Sequence, residues 1–476
     1  MQPTSHAFKE NAREALGNAN LQKALTLMRS GFPERRAAAI ARLPEFEALR
    51  EEAKAIKNHV LEHLDFYLET FEQQVTARGG QVHWCRTPQE ARETVLAICR
   101  RLDAKTVTKG KTMIAEEIAL NDYLEQNGVT PVETDLGEYI IQIRKEYPSH
   151  VIAPAIHLVK EQVAASFRAT HTELDPNRRL EDAPTLVAEA RAVLRQKFLA
   201  ADVGITGANF CIAETGSTII VTNEGNGDLT QTLTKAHIVL ASLEKLVPTL
   251  EDVSTILRVL ARSATGQEFS TYTTVSTGPR RPEDTDGPGE FHVVFLDNGR
   301  SAMLGTEFQD MLRCIRCGAC MNHCPVYATV GGHAYGWVYP GPMGAVLTPT
   351  LVGVAEAGHL PNASTFCGRC ESVCPMKIPL PKMMRHWRER EFEKQLSPAA
   401  YRYGLKLWAF FASHPPLYQA ATALMTRLLG WFGGPRGRFR SLPLAQGWTQ
   451  GRDMPAPEGR SFMSLWAERR KNGDAA

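Results

Sequence analysis

The sequence predicts an α/β domain followed by a mostly helical, cysteine-bearing domain. Three observations lead there. Between about residue 80 and residue 155, short β-rich runs alternate with helical ones. Seven of the ten cysteines fall in two tight runs, at 314–324 and 367–374. The segments flanking those runs carry apolar residues at three- and four-residue steps, the period of a buried helix face.

Composition narrows the classes of function. The chain has 476 residues, 43% of them hydrophobic and 22% charged, with a net charge of +2, which fits two or three ordinary globular domains and excludes large-scale disorder. The N-terminus, "MQPTSHAFKENAREALGNANLQKAL", has no apolar core behind a basic start and no small-residue cleavage site. A cytoplasmic protein is expected, and there thiols stay reduced, so clustered cysteines read as metal ligands before disulfides.

In chain order, residues 1–75 read as helices, with "FPERRAAAIARL" and "FEALREEAKAIKNHVLEHLDFYLETFEQQVTARGG" stopping at Gly79 and Gly80. An α/β domain is expected over 76–300. Within it "QVHWCRT" reads as strand, "PQEARETVLAICRRLD" as helix, "KTVTKG" as strand and turn, "TMIAEEIALNDYLEQNG" as helix and "VTPVETD" as strand. "SHVIAPA" continues the alternation as a further strand. A mainly parallel sheet follows from that pattern.

Residues 201–230 then alternate short strands with turns at Gly204, Gly207, Gly216, Gly225 and Gly227. Such loops line ligand crevices in open α/β sheets. Asn209, Glu214, Thr215, Asn223, Glu224 and Asn226 supply polar groups there, either as ligand contacts or as turn formers. Lys109 and Lys111, in "TKGKTM", read as anion ligands or as solvated surface. Neither a G-x-G-x-x-G after a strand nor a P-loop occurs, so no dinucleotide or P-loop site is indicated.

"CIRCGACMNHCP", residues 314–325, has the C-x2-C-x2-C-x3-C-P spacing of bacterial two-cluster ferredoxins. Three thiolates on a tight turn reach one cluster, and the fourth is carried away to the other. On that logic Cys314, Cys317, Cys320 and Cys374 hold one iron–sulfur cluster, and Cys324, Cys367 and Cys370 the second. The second run, "STFCGRCESVCP", carries Ser364 where a first cysteine belongs. Its cluster is therefore either 4Fe-4S with a non-cysteine or open fourth position, or 3Fe-4S. Structural zinc also takes four thiolates, but usually as paired C-x2-C units. Cys85, Cys99 and Cys211 stand among apolar neighbours and read as packing residues. Between the runs, "VGGHAYGWVYPGPMGAVLTP" reads as loop before a short helix, with His333, Tyr335 and Trp337 either at a partner surface or packed over a cluster. Ile315, Val326 and Ile378 supply apolar cover. A helical ferredoxin domain is expected over 301–395.

The region 396–476 is basic and rich in tryptophan: from Met376 onward there are 17 Lys and Arg against 7 Asp and Glu, and five of the seven tryptophans. "LYQAATALMTRLLGWFG" is too short, and interrupted by Arg427, to span a bilayer. The tail reads either as a helical cap or as a surface for an acidic partner or the inner face of an anionic membrane, a peripheral contact. No recognition module accompanies the charge, so nucleic acid is not an expected partner.

Five segments together, "KGKTMIAEEIALND", "VETDLGEYIIQI", "ITGANFCIAETGSTIIVTNEGNG", "DGPGEFHVVFLDNGRSAMLGTEFQDMLRCIRCGACMNHCPVY" and "CGRCESVCPMKIPL", resemble the lactate utilization protein B family over nearly the whole chain. The resemblance implies a LUD domain, related to the ribose-phosphate isomerase and CoA-transferase group, joined to an α-helical ferredoxin domain with two clusters. It implies a role beside A-type and C-type companion subunits in oxidising L-lactate to pyruvate, as the electron-transfer subunit of a lactate dehydrogenase complex. A second cluster with three nearby cysteines fits the family. CoA-transferases use a glutamate nucleophile in a related loop, where Glu224 stands in a similar setting; no catalytic residue is carried over. The competing reading makes the LUD domain itself a ligand-binding or catalytic unit with accessory clusters.

Overall fold

Asn18 ends one helix and starts the next, its side chain accepting the Leu21 amide at 3.0 Å as an N-cap. In the computed structural model, which describes residues 4–442, 445–449 and 452–471, four helices open the chain. They are α1 (Phe8–Gly17), α2 (Ala19–Ala41), α3 (Phe46–Glu62) and α4 (Leu64–Ala77). The buried positions of α3, Phe46, Leu49, Ala53 and Leu61 among them, recur at helical spacing and join the largest core, which also contains most of the cysteines of the two runs.

A six-stranded, all-parallel sheet follows: β1 (Gln81–Cys85), β2 (Thr106–Lys109), β3 (Thr130–Glu133), β4 (Val203–Gly207), β7 (Ala236–Ser242) and β10 (Glu290–Leu296). The strand order is β1-β10-β7-β4-β2-β3. Central β7 is buried along its whole length, as a strand covered on both faces must be. A second sheet, β8-β5-β6-β9, is built from β5 (Phe210–Ile212), β6 (Ser217–Thr222), β8 (Leu246–Val247) and β9 (Tyr272–Ser276). The glycine-rich stretch thus supplies β4, β5, β6 and the helix Asn226–Thr232.

One expectation is corrected. Residues 149–155 form no strand but an irregular loop, because its polar groups are claimed by the cysteine domain. The Ser149 carbonyl accepts the Tyr327 hydroxyl at 2.6 Å, and the buried His150 ring pairs with Asn322 at 3.0 Å while accepting the Ile152 and Ala153 amides. The expected single helix over 112–128 is also broken, at Ala119, into Met113–Glu117 and Leu120–Gln126.

Residues 301–393 are made of short helical pieces plus two longer helices, Gly341–Val352 and Leu380–Glu393. Trp387 anchors the latter, its indole donating to the Val346 carbonyl at 2.9 Å and its ring stacked on Phe308 at 4.2 Å. The N-terminal helices, the sheets and this segment form one contact unit, Met1–Glu391. A second unit, Phe392–Ala476, contains the helices Ala399–Ala412 and Pro415–Gly433. Trp408, Phe410, Trp431 and Phe432 on them are exposed. Among the described residues no helix is long and apolar enough to cross a membrane.

Candidate functional site

Two cysteine runs repeat one local fold, fifty residues apart. Arg316 and Gly318 take positive φ (+58° and +72°), and so do their counterparts Phe366 and Gly368 (+53° and +76°). Each glycine leads into a one-turn helix, Ala319–Asn322 or Arg369–Ser372. Chains that alternate handedness this way turn successive amides toward one side, a concavity suited to anionic sulfur. Ser364 holds the place equivalent to Cys314, and its hydroxyl accepts the Phe366 amide at 3.1 Å.

The runs interleave. Cys314, Cys317, Cys320 and Cys374 line one small apolar cavity of about 20 Å3, which Met311, Ile315, Met321, Met343, Met376, Ile378 and Leu380 also line. Cys367 lies close enough to Cys324 and Cys370 to help raise both thiols, and across the two groups Cys370 helps raise Cys320. Burial, reinforced by Cys374 and Cys314, pushes the Cys317 thiol up. Burial and then Cys324 raise Cys370 to about 12, and burial raises Cys374 to about 11. Cys317, Cys320 and Cys374, crowded in apolar surroundings, resist ionisation, whereas soft cations binding there reverse that balance. Backbone amides already aim at sulfur: those of Ala319 at Cys317, Val326 and Tyr327 at Cys324, and Ile378 at Cys374 (3.5 Å). Tyr335 and Trp337 are buried, Tyr335 next to Cys324; His333 is exposed and bonded to the Tyr147 carbonyl.

Charge around the first cavity is lopsided. Arg300 pairs with Glu117 at 2.6 and 2.9 Å and approaches Glu244 at 3.4 Å. Arg316 reaches Glu244 at 3.3 Å and lies over the Tyr339 ring, 5.1 Å from its centroid. Lys57 donates to the Glu244 and Leu246 carbonyls, and Lys245 stands beside Arg316 and Cys314. Desolvation would raise Glu244, but Arg300, Arg316 and Lys245 hold it down to about 2; desolvation lowers Lys57 and Lys245 to about 8. Four buried cations thus face two carboxylates, an excess that an anionic thiolate-bound centre next to Cys314 would offset.

Sequence reasoning missed three arginines from the N-terminal helices. Arg29 donates to the Ala328 carbonyl at 2.8 Å, Arg36 to Val373 at 2.9 Å, and Arg50 to Cys374 at 2.6 Å and Ser372 at 3.2 Å. Arg36 and Arg50 occupy carbonyls at the end of the one-turn helix Arg369–Ser372, and Arg29 one in the short helix Tyr327–Val330, carbonyls that such short elements cannot satisfy themselves. Arg29 and Arg36 lie seven residues apart on one face of α2, a signal readable only once the partner surface is known.

A larger cavity, about 480 Å3, opens where β2, β3, β4 and β7 end, the place where open parallel sheets bind ligands. Asn209, Asn223, Glu224 and Asn226 line it; Glu214 and Thr215 do not. Asn209 is committed to the Val221 amide, and Asn223 to Gln267 and Thr271. Lys109 is neither surface nor ligand contact: it is buried between Glu116 (2.9 Å) and Glu133 (2.6 Å). Lys111 does line the cavity. Ile315 and Arg316 line this cavity and the cysteine-lined one, so the two share a wall. Cys85, Cys99 and Cys211 pack into the sheet cores, where desolvation raises Cys99 and Cys211 to about 12.

Family models match three stretches: LUD domain at residues 68–296, 4Fe-4S dicluster domain at 310–378, and Lactate utilisation protein B, C-terminal, at 376–471. Lactate utilization protein B of Bacillus licheniformis is 42% identical, covering 98% of this chain and 97% of its own. That of Bacillus subtilis is 42% identical, covering 97% and 96%. Uncharacterized electron transport protein YkgF of Escherichia coli is 40% identical, covering 98% of each.

Proposed function

This chain belongs to the lactate utilization protein B family, and from that premise we propose that it is the iron–sulfur electron-transfer subunit of a system oxidising L-lactate to pyruvate, working with A-type and C-type companions. The observation that carries the reading is the meeting of Cys314, Cys317 and Cys320 with Cys374, fifty residues from the first run's last cysteine, around one apolar cavity. Two centres are proposed: one held by these four sulfurs, the other by Cys324, Cys367 and Cys370, with Ser364 at the place of the missing ligand. When bound, such clusters supply one-electron redox chemistry.

The chain's own residues have separate tasks in this reading. Amides of Ala319, Val326, Tyr327 and Ile378 donate to sulfur and favour the more negative, reduced state. Lys245 and Arg316 add positive charge beside Cys314 with the same effect. Ile315, Ile378 and Tyr335 exclude water. Lactate gives up two electrons and each cluster takes one, so the hydride is accepted elsewhere and this chain passes electrons on. The test is anaerobic mixing with the companion subunits and L-lactate. Bleaching of the cluster absorbance on the timescale of turnover is expected; clusters that stay oxidised while pyruvate accumulates would exclude the relay.

A further inference from the structure

The cavity at the carboxyl ends of the parallel strands has a purpose that the relay does not use. Ser242, at the end of β7, is fully buried, and Asn226 is 7% exposed. The Ser242 hydroxyl and the Asn226 side-chain oxygen have no hydrogen-bond partner among the described residues, and neither has the Lys111 ammonium, which is itself shielded from solvent. All three residues line the same space. Leaving a buried hydroxyl, amide oxygen and ammonium unpaired costs kilocalories each, so their convergence on one cavity marks it as built to receive polar atoms.

We propose that this cavity binds an organic anion of mononucleotide size. Lys111 offers three donors to an acid head, Asn226 accepts from an N–H or O–H of the ligand, and Ser242 serves either role. Ile152, Ile220, Leu260 and Ile315 give the ligand's body an apolar wall. At about 480 Å3 the cavity falls in the roughly 300–1,000 Å3 range of pockets for drug-sized ligands and has more room than a three-carbon acid fills. The inference stands apart from the electron relay, since none of the polar contacts is a cysteine or touches one.

The experiment is titration of the iron-loaded protein, kept anaerobic, with FMN and with AMP, followed by flavin fluorescence and by calorimetry. Saturable one-to-one binding of either is expected, weakened at least tenfold in Lys111→Met, severalfold in Ser242→Ala, and largely kept in Lys111→Arg. Iron content and melting temperature are expected to match the parent in all three variants, which separates this result from any failure of the clusters. Should Lys111→Met not fold, Ser242→Ala and Lys111→Arg carry the test. Absence of binding by both nucleotides, equal binding by the parent and the variants, or binding of L-lactate alone would overturn the proposal.

Discussion

Cys374 lines a cavity with three cysteines that precede it by fifty residues or more, and its replacement is the sharpest probe of one residue. Cys374→Ala is expected to remove one centre, about half the iron, and to leave the EPR signal of the other; loss of both signals would contradict the pairing. Ser364 already adopts the backbone of its counterpart Cys314, so Ser364→Cys is expected to fold normally and to alter the spectrum of one centre only. Glu224 carries a pH prediction. It is exposed as a residue, yet desolvation and then Asp135 push its carboxyl up to about 7, against the pull of the Leu136 amide and Lys111. Below that pH it is neutral, so the cavity gains net positive charge. Anion binding should therefore strengthen as pH falls through 7, and Glu224→Gln should flatten the profile in calorimetry. The cysteine spacing was legible because a cluster demands fixed ligand steps. Lys109 was not, since nothing in "TKGKTM" tells a buried ion-paired lysine from a solvated one.

Helices α2 and α3 support the cysteine runs through carbonyls rather than sulfur. An arginine bonded to a buried carbonyl contributes about 1.5–3 kcal/mol. Arg50, 9% exposed and donating to Cys374 and Ser372, should cost in that range on change to Ala, read as a lower urea midpoint with faster cluster loss. Arg13, with its side chain 75% exposed, should change little in the same assay. Alternation of strand and helix was legible over β1 to β3 because covered parallel strands and amphipathic helices have different periods. It failed at 149–155, where an apolar, β-prone stretch becomes loop: the Tyr327 hydroxyl and Asn322, some 170 residues away, take its polar groups. No local pattern can announce a partner that distant.

At the scale of the molecule, the N-terminal helices belong to the unit Met1–Glu391 and share a core with the cysteine segment. Residues Phe392–Ala476 form their own unit. Limited proteolysis should cut near that boundary and leave an N-terminal fragment with its full iron content; loss of iron with the tail would contradict that division. The tail's basic charge and its tryptophans were legible in composition, but the exposure of Trp408 and Trp431 and what they meet were not, because charge and apolar surface suit more than one partner. The central claim is that two iron–sulfur centres make this chain an electron relay. It is tested most directly by iron and acid-labile sulfide content, with EPR before and after reduction, on protein purified without oxygen. The account predicts about seven to eight irons per chain and two interacting signals that respond to reductant. Zinc in place of iron, or clusters silent to reductant, would contradict it.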